Sequence, residues 1–237
     1  YVADTQDENN TYTYVLTNAG QYSSVTTNYG TLSITKAPLT ITADSNSKEY
    51  DGKALTDNGW QDTAPVGLKG TDAVDSVTVT GTITEVGSED NVASAAVVKN
   101  GNVDVTANYD ITYVKGTLTI TQNETELKIV SSTKSFGYTG EAQHDYVYTV
   151  TFGEERYEVT ATEEAAAVAT LLNGDTVTIT PAASAKITHV AETTVDNAYT
   201  AVVSNEAQYK TVTRETGKLS VTPATLTVTT GTASKQY

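Results

Sequence analysis

One six-residue phrase occurs three times in this chain: GTLSIT at 30–35, GTLTIT at 116–121 and GKLSVT at 217–222. Self-similarity at a near-fixed period is the signature of a repeated architecture, each copy being one supersecondary unit. Other landmarks keep step with the phrase. Leu39, Leu127 and Leu226 open the runs LTIT, LKIV and LTVT, and Tyr50, Tyr138 and Tyr237 follow eleven residues later each time. Asp75 in DSVTVTG parallels Asp175 in DTVTITP, and Tyr109 and Tyr209 each lie 34 residues beyond those aspartates. TNAGQY, ending at Tyr22, likewise parallels SNEAQY, ending at Tyr209.

The runs between landmarks read as strands. In GTLTIT, Leu118 and Ile120 alternate with threonines, the period of two that half-buries a strand. DSVTVTGTI and DTVTITP alternate in the same way, and Asn-Gly, Asp-Gly and Gly-Asn pairs punctuate them as turns. Gly30, Gly116 and Gly217, which open the last strand of each copy, are expected to be turn residues that need permissive backbone angles. The copies differ in the distance from tyrosine to aspartate, which is twelve residues longer in the second. That insertion contains TEEAAAVATLLNG. Thr162 as N-cap, Glu163 and Glu164 in the first turn and Asn173-Gly174 as a stop predict one short helix over 163–172, outside the framework the copies share.

Complete copies therefore span 38–122 and 125–222. Residues 1–36 are the C-terminal part of a preceding copy, and 224–237 are the first strand of a following one. Junctions of two or three residues (KAP, QNE, PA) leave little freedom, so the modules are expected to stack end to end. The expected fold is mainly β: small sandwich-like modules, with a β-grasp arrangement as the alternative for the copy carrying the helix. The incomplete ends are expected to be ordered by more of the same polypeptide or by neighbouring copies.

Composition excludes several functions. Cysteine is absent from the 237 residues, which removes disulfides, thiolate metal sites and a cysteine nucleophile. The net charge of −15 argues against binding a phosphate backbone. Its even scatter describes a self-repelling exterior rather than a calcium site. Asp72 and Asp75 stand close, but no EF-hand order of oxygen ligands surrounds them. The longest apolar run, residues 165–172, is too short to span a bilayer. The start at Tyr1, without a basic and apolar leader, suggests a mature or excised fragment.

The landmarks resemble the YDG and MBG-type repeats of large bacterial surface adhesins. KEYDGKAL at 48–55, NYDITYVKGTLTIT at 108–121 and YTGEAQ at 138–143 carry the likeness. The second copy departs from it, with Thr139 in place of aspartate and QYKTV in place of NYDITY. The resemblance implies an extracellular, repeated, mainly β module that extends or displays an adhesin, with no catalytic residues and no cofactor.

Reactive constellations are missing as well. His144 and His189 have no metal spacing, and His189, within KITHV, is read as an ordinary strand position. An isopeptide through Lys48 is disfavoured because Phe136 occupies the matching position in the next copy. The residues singled out are thus motif residues of a structural kind: Tyr50, Asp51, Gly52, Tyr109, Gly116, Tyr138, Gly140, Tyr209 and Gly217. Tyr50-Asp51-Gly52 is read as a β-turn with its tyrosine packed on a sheet, in preference to a ligand-contacting loop. Tyr109 and Tyr209 are read as corner tyrosines tying a loop to the backbone. The expected function is a stalk or filament segment that projects a binding region from a cell surface. Its partners are neighbouring modules, with host glycan or mucin as the alternative partner.

Overall fold

A computed structural model describes Val2, residues 9–61 and residues 67–237. Two compact units divide the chain. The first holds residues up to Lys48, Ala54–Ile83 and Gly87–Ile120, and the second holds Glu49–Lys53, Thr84–Val86 and Thr121–Tyr237. Both are built from β-strands, and no α-helix occurs among the described residues.

In the first unit the strands are β1 (Asn9–Asn10), β2 (Gly30–Thr31), β3 (Ala37–Thr42), β4 (Asn46–Glu49), β5 (Ala73–Thr80), β6 (Gly87–Asn100), β7 (Val103–Asp104), β8 (Tyr109–Val114) and β9 (Gly116–Thr121). The opening strand β3 pairs in parallel with β8, Leu39 facing Ile111. The chain then steps to another sheet, of order β4-β9-β6-β5, so the strand after β3 neighbours the strand after β8. Alternation along β3 and β9 buries Leu39, Ile41, Leu118 and Ile120 and leaves the threonines between them more open. At roughly 25 cal/mol per Å² of apolar surface, these fully buried side chains stabilise the sheets by about 2 kcal/mol each. Residues 11–36 bury no side chain, and β1 and β2 pair only with each other.

The second unit repeats this pairing. Its strands are β10 (Leu127–Ser131), β11 (Lys134–Gly137), β12 (Val147–Phe152), β13 (Glu155–Thr160), β14 (Ala167–Thr170), β15 (Thr176–Pro181), β16 (Val195–Asp196), β17 (Tyr199–Val203), β18 (Val212–Glu215) and β19 (Lys218–Thr222). The opening strand β10 runs parallel to β18 and its successor β11 runs parallel to β19. Three-residue 3-10 turns recur too: Ala19–Gln21, Thr106–Asn108 and Glu206–Gln208 each end on a tyrosine, Tyr22, Tyr109 or Tyr209. Residues 223–237 carry no strand and are exposed.

The insertion is not helical. Thr162 does close a turn, its Oγ1 accepting the Ala165 N–H at 2.9 Å, but residues 167–170 continue as strand β14 at the edge of the sheet β14-β15-β17. Burial there has period two. Ala167, Ala169 and Leu171 are buried, whereas Val168 is 52% exposed and Leu172 76%. The helical face expected from Ala165, Val168 and Leu172 is not used. The hairpin β12–β13 also lies in the longer span, and β12 pairs directly with β10. The added length thus extends the sheet order to β13-β12-β10-β18 instead of decorating it. The helix on which the β-grasp alternative rested is absent.

Candidate functional site

Two of the motif tyrosines, Tyr50 and Tyr209, converge on one buried carboxylate. Asp175 precedes β15, is 4% exposed, and follows Gly174, whose φ of 89° makes the tight turn. Tyr209 Oη donates to its Oδ2 at 2.5 Å and Tyr50 Oη donates to its Oδ1 at 3.2 Å. Asn205 Nδ2 donates to Oδ1 at 2.6 Å, Asn173 Nδ2 to Oδ2 at 3.1 Å, and Ser204 Oγ lies 3.4 Å from Oδ1. A buried charge is tolerated only when its lone pairs are met in this way. The Tyr50 and Tyr209 rings meet edge to face at 6.0 Å, and Phe152 packs against Tyr209 at 5.6 Å. Burial first, and then the Asp175 charge, pushes the Tyr50 phenol above its ordinary range. Burial, partly offset by the Asn173 bond, pushes Tyr209 up as well. Both phenols stay protonated at neutral pH and hold the carboxylate as hydrogen-bond donors.

The Tyr50 loop is built to enter it. Asp51 Oδ1 accepts the Lys53 N–H, Gly52 has φ 74°, and a Cβ on Gly52 would stand 2.1 Å from Asn173 O. Tyr50 N–H donates to Thr121 O, and Asn123 Nδ2 donates to Tyr50 O. Tyr138-Thr139-Gly140 forms the same turn. Tyr138 N–H donates to Thr222 O, Thr139 Oγ1 accepts the Glu141 N–H, and Gly140 has φ 86°. Threonine therefore replaces aspartate at the one atom the turn requires. Tyr138, however, is 42% exposed, and a Cβ on Gly140 would meet nothing within 4 Å.

In the first unit the corner is formed by Tyr109, whose Oη donates to Asp72 Oδ2 at 2.6 Å and accepts the Lys69 N–H at 3.0 Å. The counterpart of Asp175 is therefore Asp72, and not Asp75, which instead pairs with Lys99 at 2.8 Å. The sequence alignment lands three residues late because the span from this aspartate to the corner tyrosine is 37 residues in the first unit (Asp72 to Tyr109) and 34 in the second (Asp175 to Tyr209). Asp72 also accepts from Asn100 Nδ2 at 2.7 Å.

Gly116 and Gly217 are not turn residues with positive φ. Both are buried, and an added Cβ would stand 2.1 Å from Asp44 O at Gly116 and 2.2 Å from Ser132 O at Gly217. The carbonyls belong to the link where the chain steps from one strand to the next, so glycine is needed for close backbone approach. Opposite each glycine stands a fully buried asparagine that the sequence reading missed. Asn91 Nδ2 donates to Asp44 O at 2.9 Å and Asn197 Nδ2 to Ser132 O at 3.0 Å. The signal was available in the doublets Asp90-Asn91 and Asp196-Asn197. Their aspartates also match, Asp90 pairing with Lys115 and Asp196 with Lys218. At the N-terminus Asn10 faces Gly30 in the same register.

The remaining candidates are scattered. His189 is exposed and precedes a 3-10 turn instead of lying in a strand; its ring is 6.5 Å from that of Tyr138. His144 stacks on Tyr146 at 5.4 Å. Lys48 Nζ donates to Ala54 O at 3.4 Å. Among the described residues no group of three His, Asp or Glu side chains is placed to hold a metal ion. No protein family, curated protein or solved structure matches the chain.

Proposed function

We propose that this chain is a structural stalk or filament segment of an extracellular bacterial surface protein, made of tandem β-sandwich-like modules that bear load and project a binding region. The observation that carries this is how each unit is closed. The opening strand pairs in parallel with a strand near the unit's end, β3 with β8 and β10 with β18. Tension applied to the two ends of such a unit pulls these neighbours along their own axes. Their hydrogen bonds are then loaded together in shear instead of opening one at a time. The repeated tyrosines also support a structural role, because Tyr50 and Tyr209 are buried in the Asp175 clamp and offer no face to a glycan. The exposed Tyr12, Tyr14 and Tyr29 are tilted against one another at 47° and 63° and make no flat platform. The sequence resemblance to adhesin repeats supplies the cellular setting.

Single-molecule pulling tests the proposal, since forced unfolding reports the unfolding barrier. Discrete high-force events are expected, with residues 37–121 lengthening by roughly 300 Å at about 3.5 Å per residue. Extension at low force without discrete events would remove the load-bearing role. Specific capture of mucin or an arrayed glycan by the same chain would replace it with direct adhesion.

A further inference from the structure

The clamp around Asp175 is complete, whereas two of its counterparts in the same chain are each half of one. Tyr138 has the turn, the backbone bond and the glycine conformation of the Tyr50 loop, yet its ring is exposed where Tyr50 is buried. Gly52 is pressed against Asn173 O, while the space around Gly140 is open. Conversely, the Asp72–Tyr109 pair has the corner tyrosine and an asparagine donor but only half-buries its carboxylate, where Asp175 is buried beneath Tyr50. Among the described residues a cavity of about 220 Å³ opens beside it, lined by Val2, Ile34, Ala37, Lys69, Asp72 and Tyr109 among others. A cavity of about 150 Å³ is enough to hold a benzene ring.

We propose that Tyr138 and the Asp72–Tyr109 pair are the two halves of one docking contact, through which a second copy of this chain adds head to tail. The incoming Tyr138 hydroxyl donates to Asp72 Oδ1, as Tyr50 donates to Asp175 Oδ1, and its ring meets Tyr109 edge to face. Ligand and receptor are different residues, Tyr138 of the second unit and Asp72 and Tyr109 of the first, so the contact is heterologous and extends as an open chain wherever the rotation does not close a ring. The proposal goes beyond the stalk role, because it concerns which surfaces join and not what the assembly does.

The experiment is a complementation test by sedimentation velocity and light scattering on the whole chain. The unmodified protein is expected to self-associate progressively with concentration. Tyr138→Ala and Asp72→Ala should each weaken that association at least tenfold, since each removes one half. Mixed in equal amounts, they should form a dimer that stops at two copies, because the Tyr138 of one variant meets the intact receptor of the other. Tyr138 is exposed, so its replacement leaves the fold in place. If Asp72→Ala fails to fold, Asp72→Asn, which keeps the volume and removes the charge, takes its place in the mixture. Unmodified protein that stays monomeric at millimolar concentration, single variants that associate as well as the parent, or a mixture that stays monomeric would each overturn the proposal. Pulling is done on single chains and this test reads association, so either conclusion can fail without the other.

Discussion

At the scale of single residues, the recurrent glycine is the part of the repeated phrase that resists change most. A methyl group on Gly217 would overlap Ser132 O at 2.2 Å, and the atom it meets is backbone, which cannot rotate away. Gly217→Ala is therefore expected to destabilise the second unit by about 3 kcal/mol, the upper end of overpacking costs, read as a lowered urea midpoint. Gly140→Ala is the control. It also forces a side chain onto a positive φ but meets nothing, so about 1 kcal/mol is expected. The contrast shows what was legible in the sequence and what was not. The positions of Gly116 and Gly217 stand out from the repeat alone. Their reason does not, because the carbonyls they approach, at Asp44 and Ser132, lie far away in sequence and are brought close only by the parallel pairing. The Asp-Asn doublets at 90–91 and 196–197 mark Asn91 and Asn197 as recurrent, but for the same cause nothing in them says that the amide is buried against a backbone carbonyl.

At the scale of elements, strands were readable wherever one face is buried and the other is not, as along β9, since alternation is then strict. The segment 163–172 fails because small apolar residues fit both periods. Alanine favours helix on its own, but β14 buries Ala167 and Ala169 beside β15, and tertiary pairing outweighs local propensity in so short a stretch. The two assignments make opposite demands on Val168. A helix would use it on the packed face, whereas the strand turns it outward. Val168→Lys is thus expected to change stability by less than about 0.5 kcal/mol, as an ordinary surface substitution does. Ala169→Asp, which buries an unpaired carboxylate, is expected to cost about 3 kcal/mol or to neutralise by taking up a proton. Thermal melts of the two variants check this, and equal costs would return the segment to a helix.

At the scale of the whole molecule, the buried phenols set how stability depends on pH. Tyr50, Tyr109, Tyr146, Tyr148, Tyr199 and Tyr209 are all held above their ordinary range, chiefly by burial, and Tyr148 is pushed up to about 12. In the unfolded chain each ionises near the ordinary phenol value of about 10, releasing its proton earlier than in the folded state. The sign follows from linkage: the folded state holds more protons above that value, so stability falls as pH rises. Below about pH 9 the phenols are neutral in both states and contribute no slope. The chain should therefore keep a flat melting temperature from pH 7 to about 9 and lose it steeply between about 10 and 12, as the tyrosinate absorbance of these six phenols appears together on unfolding. Tyr148 separates this effect from general alkaline repulsion on a chain of charge −15. Its ring is fully buried, 5.4 Å from Tyr199, and its hydroxyl has no hydrogen-bond partner among the described residues. Removing an unpaired buried hydroxyl spares its desolvation, so Tyr148→Phe is expected to raise stability by about 1 kcal/mol at pH 7. It should also make the alkaline decline shallower, because one fewer phenol ionises on unfolding. A decline equally steep in parent and variant would assign it to surface charge, and Tyr148 would then have no part in the pH response.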